Sequence, residues 1–126
     1  MPLGTETLLV VESERPVRNL VCSVLESLGY TVLRAINGQE GLRVAREHKG
    51  QPVRLVITDV SLPQMRGDVM TEWLQLACPD LKFLFTSGYA GEAVAHPGVP
   101  AARIAFLPQP YTPAQLAYSV RTMLDQ

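Results

Sequence analysis

Short apolar runs alternate with segments of helical period along the whole length of this chain, and that alternation most limits its fold. Leu8–Val11 is a continuous apolar run stopped by Glu12, the pattern of a strand covered on both faces. Val17, Leu20, Val21, Val24, Leu25 and Leu28 then fall at offsets 0, 3, 4, 7, 8 and 11, one face of an amphipathic helix. Gly29 stands where such a helix stops. Thr31–Ala35 reads as a second strand, and Asn37 with Glu40 opens a helix that carries Leu42, Val44 and Ala45 to about His48. Val53–Thr58 is the third strand. Val69, Met70, Trp73, Leu74 and Ala77 mark a third helix that ends before Pro79. Leu81–Thr86 is the fourth strand, and Glu92–His96 a short helix interrupted by Pro97, Gly98 and Pro100. Ile104–Leu107 is the fifth strand. Thr112-Pro113-Ala114-Gln115 then supplies a cap, a Pro at the first helical position and a Gln at the third, and Leu116, Val120, Met123 and Leu124 give the last helix its apolar face.

Five strands alternating with five helices build a parallel sheet with helices on both faces and right-handed crossovers. In such an α/β sheet the ligand site lies beyond the carboxyl ends of the strands. Glu12, Asp59, Ser87 and Gln109 all fall at strand carboxyl ends and form one candidate site. The most directed element is Leu55-Val56-Ile57-Thr58-Asp59, a buried-type run that ends on a carboxylate and breaks into a loop with Pro63 and Gly67. No repeat or linker interrupts the pattern, so residues 1–126 are expected to be a single domain, with 1–6 a loose leader.

Composition excludes several classes. The net charge of −1 gives no footprint for direct nucleic-acid or membrane-surface binding. No apolar run approaches the length of a membrane span, and no signal-peptide pattern opens the chain. Cys22 and Cys78 fit no ligand spacing; each is expected to be a small core residue, in a reducing, cytoplasmic setting. His48 and His96 are isolated.

Four segments, taken in order, carry a family resemblance: Val10-Val11-Glu12 with Arg18 downstream, Thr58-Asp59-Val60-Ser61-Leu62-Pro63 through Gly67, Thr86-Ser87-Gly88-Tyr89-Ala90, and Phe106-Leu107-Pro108-Gln109-Pro110-Tyr111. They resemble the receiver domains of two-component response regulators over nearly the full chain. The last two are closest to receivers at the C-termini of hybrid histidine kinases. The resemblance implies a flavodoxin-like (βα)5 doubly wound parallel sheet of strand order 2-1-3-4-5. It also implies phosphorelay chemistry, with Asp59 accepting a phosphoryl group from a histidine kinase or histidine phosphotransfer domain. Mg²⁺ would be held by Glu12, Asp59 and the backbone carbonyl of Ser61. Ser87 matches the hydroxyl that bonds the phosphoryl group, Phe106 the aromatic that follows it as a switch, and Pro110 a proline often preceded by a cis bond. An output partner would engage the face formed by the fourth helix, fifth strand and fifth helix.

Two positions depart from the family pattern. Ser13 stands in place of a second acid, which removes one charged metal contact, so Mg²⁺ is expected to bind weakly. As a side chain alone, Ser13 reads equally as the N-cap of the helix that follows, with Glu14 complementing its dipole. Gln109 stands in place of a Lys, and a neutral donor to a phosphoryl group is about half as strong as a charged one. Arg66 is either a cation at the rim or a solvated side chain. The expectation is a receiver with impaired or altered activation; the alternative is a pseudo-receiver, a protein-binding module that signals without phosphorylation. A dehalogenase-like phosphatase would need a second Asp where Ser61 stands. A flavodoxin-type phosphate loop is opposed by Glu12-Ser13-Glu14.

Overall fold

The computed structural model describes residues 1–59, 67–78, 80–86 and 103–126. Its elements run β1 (Thr7–Val11), α1 (Arg15–Ser27), β2 (Thr31–Ala35), α2 (Gly38–Glu47), β3 (Val53–Thr58), α3 (Gly67–Ala77), β4 (Lys82–Phe85), β5 (Ile104–Phe106) and α4 (Pro113–Leu124). All pairings are parallel and the order across the sheet is β2-β1-β3-β4-β5. The expected short helix over Glu92–His96 lies outside the described residues.

The continuous apolar runs are explained by burial on two sides. Along β1, Leu8 and Val10 join the core on the α1/α4 face with Val21, Leu25, Leu55, Ile57, Leu116 and Val120. Leu9 and Val11 join the opposite layer with Val56, Phe83, Phe85, Leu42, Met70 and Leu74. A strand buried on both faces has no room for period-two polarity. Edge strands β2 and β5 are only partly covered. On the second face α2 approaches closely: a Cβ on Gly41 would run into the Met70 sulfur and the Val11 side chain.

The caps follow the sequence at two of three helix starts. Asn37 Oδ1 accepts from Glu40 N–H at 2.8 Å, and the Glu40 carboxylate accepts in return from Ile36 N–H at 3.0 Å. Thr112 and Gln115 form a complete capping box. The expected Ser13 cap is corrected: Pro16 in the first turn sets the start of α1 so that Glu14 occupies the N-cap, without a side-chain cap bond. Gly29 ends α1 with φ 106°, a left-handed conformation that glycine adopts without strain.

Two further expectations are corrected. Cys78 is exposed, because α3 ends at Ala77 and the residue lies past its apolar face, whereas Cys22 is buried as expected. Residues 4–6 are tied down rather than loose. Gly4 N–H donates to Leu28 O and Thr31 N–H to Glu6 O, both at 3.1 Å. The Glu6 carboxylate takes two bonds from Arg121, at 2.6 and 3.2 Å. Among the described residues, no helix is long and apolar enough to cross a membrane.

Candidate functional site

Val11 and Thr58 are register partners on neighbouring central strands, so Glu12 and Asp59 leave the sheet side by side at its carboxyl end. Glu12 is held at three points. Its N–H donates to Ala35 O at 3.0 Å, its carbonyl accepts from Arg18 Nη1 at 2.8 Å, and its carboxylate Oε1 accepts from Glu14 N–H at 3.1 Å. The residue is only 6% exposed. Burial raises the Glu12 carboxyl above the usual range. The Glu14 N–H bond opposes that shift, and the charge of Asp59 adds to it. Asp59 is half-buried, and its carbonyl accepts from the Thr58 hydroxyl at 3.0 Å.

The neighbouring strand ends bring up the rest. Thr86 N–H donates to Thr58 O at 2.9 Å and Leu107 N–H to Phe85 O at 2.8 Å, which extends the ladders past the strands to the site. Gln109 is exposed, and the peptide bond between Gln109 and Pro110 is cis. Phe106 is 43% exposed on the edge strand, its ring stacked on buried Phe85 with centroids 5.6 Å apart. It is therefore not a plain core phenylalanine. Ser13 is exposed, and its N–H assists the Glu14 N–H in drawing the Glu12 carboxyl down. Ser61, Ser87 and Arg66 lie outside the described residues.

Sequence reasoning gave no role to Tyr111. Its ring is half-buried against the α1/α4 core face. Burial first, then the charges of Glu12 and Asp59, push the phenol up to about 12. The only sequence signal was an aromatic hydroxyl closing the Pro108–Pro110 run.

Among the described residues no three His, Cys, Asp or Glu side chains gather around one point. Two carboxylates do converge, one of them buried and pushed towards its neutral form. A hard divalent cation bound through one or two carboxylates and several waters suits that donor set, and would reverse the repulsion within it. The residues present fit Mg²⁺.

A parallel sheet of this order, with paired acids at the ends of β1 and β3, defines a receiver-type α/β domain. The family model for the response regulator receiver domain matches residues 8–121. Sensor kinase CckA of Brucella abortus (strain 2308) is 42% identical over 124 residues, 98% of this chain and 13% of that kinase. The response regulator receiver protein CpdR of the same strain is 30% identical over 118 residues, 93% of this chain and 95% of that protein. Among solved structures, the receiver domain from hybrid histidine kinase CckA gives a TM-score of 0.78 at 30% identity, covering 94% of this chain and 98% of its own. The chemotaxis protein CheY4 of Vibrio cholerae gives 0.83 at 21% identity, with 96% and 100% covered, a likeness of fold alone. The chain belongs to the response regulator receiver domain family, with its CheY-like, flavodoxin-like fold, and so to two-component signalling. It spans only a small part of the sensor kinase it matches at 42% and about half of the aerobic respiration control protein ArcA.

Proposed function

We propose that this domain accepts a phosphoryl group on Asp59 from a histidine kinase or histidine phosphotransfer domain, with weakened acceptance. The observation that carries the reading is the register that sets Asp59 beside the buried Glu12 carboxylate. An Asp59 carboxylate oxygen attacks the phosphorus of a phosphohistidine. A P–O bond forms, the P–N bond breaks, and the electron pair leaves on the imidazole nitrogen. Glu12, Asp59 and the Ser61 carbonyl would hold Mg²⁺, which neutralises charge on the transferring group. Glu12 is kept aimed by Arg18 and the Glu14 N–H. Ser87 and Gln109 would supply neutral donors to the phosphoryl oxygens, with Phe106 as the switch aromatic, and the cis bond before Pro110 sets the course of the chain after Gln109. The similarity to CckA supports a role as the receiver part of a hybrid histidine kinase in a reducing, cytoplasmic setting, signalling through the face that includes β5 and α4.

One observation favours the alternative of a phosphorylation-independent binding module: Ser13 and Gln109 are both exposed and uncharged where the family carries an acid and a Lys. Intact-mass spectrometry after incubation with Mg²⁺ and acetyl phosphate separates the two. A phosphoryl adduct on the parent and none on Asp59→Asn is the expected result. No adduct at high Mg²⁺ moves the assignment to the binding module.

A further inference from the structure

A groove between α2 and α3 has no part in the chemistry above. Its volume is about 710 Å³, in the range of small-molecule sites, and neither Glu12 nor Asp59 lines it. Buried Leu42 belongs to one wall and Trp73 to the other. Met70 and Leu74, on either side of Trp73 along α3, are packed into the core, yet Trp73 itself is 52% exposed. A tryptophan is ordinarily well covered, so the groove presents an unusually broad aromatic face. The charges along α2 are unevenly answered. Glu40 accepts from Ile36 N–H at 3.0 Å and lies 3.8 Å from Arg43, and Glu47 accepts from Arg43 Nη1 at 2.9 Å. Arg43 therefore serves both acids of the groove. Arg46, exposed one turn further along α2, lines the same groove and has no side-chain partner among the described residues.

An open indole face and an unanswered guanidinium in one cavity are the two halves of a recognisable chemistry. A planar ring stacks on the indole, and the guanidinium fork takes two oxygens of a phosphate. A purine nucleoside monophosphate carries both groups on one small molecule. We infer that the α2/α3 groove binds such a nucleotide, its base stacked on Trp73 and its phosphate paired with Arg46. The site is separate from the Asp59 chemistry and does not depend on it.

Trp73 is the single tryptophan of the chain, so its fluorescence reports on this groove alone. Adenosine and guanosine monophosphates are titrated into the parent, Arg46→Gln, Arg54→Gln and Asp59→Asn, exciting the indole where the bases are transparent. The expected result is saturable quenching of the parent, weakened about 10-fold or more in Arg46→Gln by loss of a charge-assisted pair. Arg54, an exposed arginine outside the groove, serves as control, and Arg54→Gln and Asp59→Asn should match the parent. Calorimetry on Trp73→Leu, which lacks the reporter, should show a loss of similar size from the missing stack. Adenosine and inorganic phosphate, each carrying half of the ligand, should bind more weakly than the nucleotide. No saturable quenching at millimolar nucleotide overturns the site, as do equal affinities for the parent and Arg46→Gln. Phosphate binding as tightly as nucleotide overturns the nucleotide assignment. None of these results bears on phosphorylation of Asp59, which the mass measurement reads separately.

Discussion

Each end of the sheet holds a largely buried glutamate, and the two meet opposite fates. At the amino end, Glu6 receives two hydrogen bonds from Arg121, which also binds Asp125, the Tyr30 hydroxyl and the Leu3 carbonyl. The Arg121 bonds outweigh the cost of burial and draw the Glu6 carboxyl down to about 2. At the carboxyl end, Glu12 is met by two backbone N–H groups and by the charge of Asp59, and burial prevails in the other direction. A carboxylate with an arginine fork stabilises the fold, while one pressed against another acid is costly and useful only when a cation arrives. One end of this domain holds it together, and the other is kept electrostatically expectant.

The sharpest way to break the comparison is Arg121→Ala. It strips the fork from Glu6 and leaves that acid, its side chain only 20% exposed, without a cation, for an expected loss of about 2 kcal/mol in chemical denaturation. Acid should do the same more gently. The folded Glu6 pKa lies below its unfolded value of 4.5, so its contribution is full above pH 4.5 and fades as pH falls towards about 2. The unfolding free energy of the parent should fall through that window by roughly 1–2 kcal/mol, and Glu6→Gln should lack that slope. A smaller effect at the same end is expected of Lys82→Met. Lys82 Nζ caps the C-terminus of α4 through Met123 O at 2.6 Å and Gln126 O at 2.7 Å, worth about 0.5–1 kcal/mol and reduced by salt.

The smallest expected change has the opposite sign and sharpens the contrast most. Because the folded Glu12 pKa is raised, its ionised form is penalised above the unfolded pKa, and the penalty is relieved as pH falls. Glu12→Gln keeps an oxygen for the Glu14 N–H and removes the charge. Stability at neutral pH should rise by on the order of 0.5 kcal/mol while Mn²⁺ binding and the acetyl phosphate adduct are lost. Destabilisation by this variant would mean that Glu12 is a structural acid like Glu6.

The fold was legible because its signals are local. Continuous runs such as Leu8–Val11 and the Asn37/Glu40 and Thr112/Gln115 pairs name their own conformations within a few residues. What escaped was long-range. Glu6 and Arg121 are 115 positions apart, so nothing near residues 1–6 announced that the leader is fastened. Cys78 continues a helical spacing on paper, but α3 has ended. Of the site, Glu12 and Asp59 could be paired by reasoning from strand ends, since parallel register turns similar positions into neighbours. The packing of Tyr111 on the α1/α4 core face could not be read in the same way, because it depends on how a Pro-rich turn leads the chain away from an edge strand.

The fastening at the amino end also has an architectural side. Leu3 and Glu6 share Arg121 with Asp125, and Lys82 holds the Gln126 carbonyl on the same side of the sheet. Both ends of the described chain thus emerge together, across the full height of the strands from Asp59. The network that fastens the fold and the pair of acids are thereby kept at opposite poles, so a substitution in one leaves the contacts of the other in place.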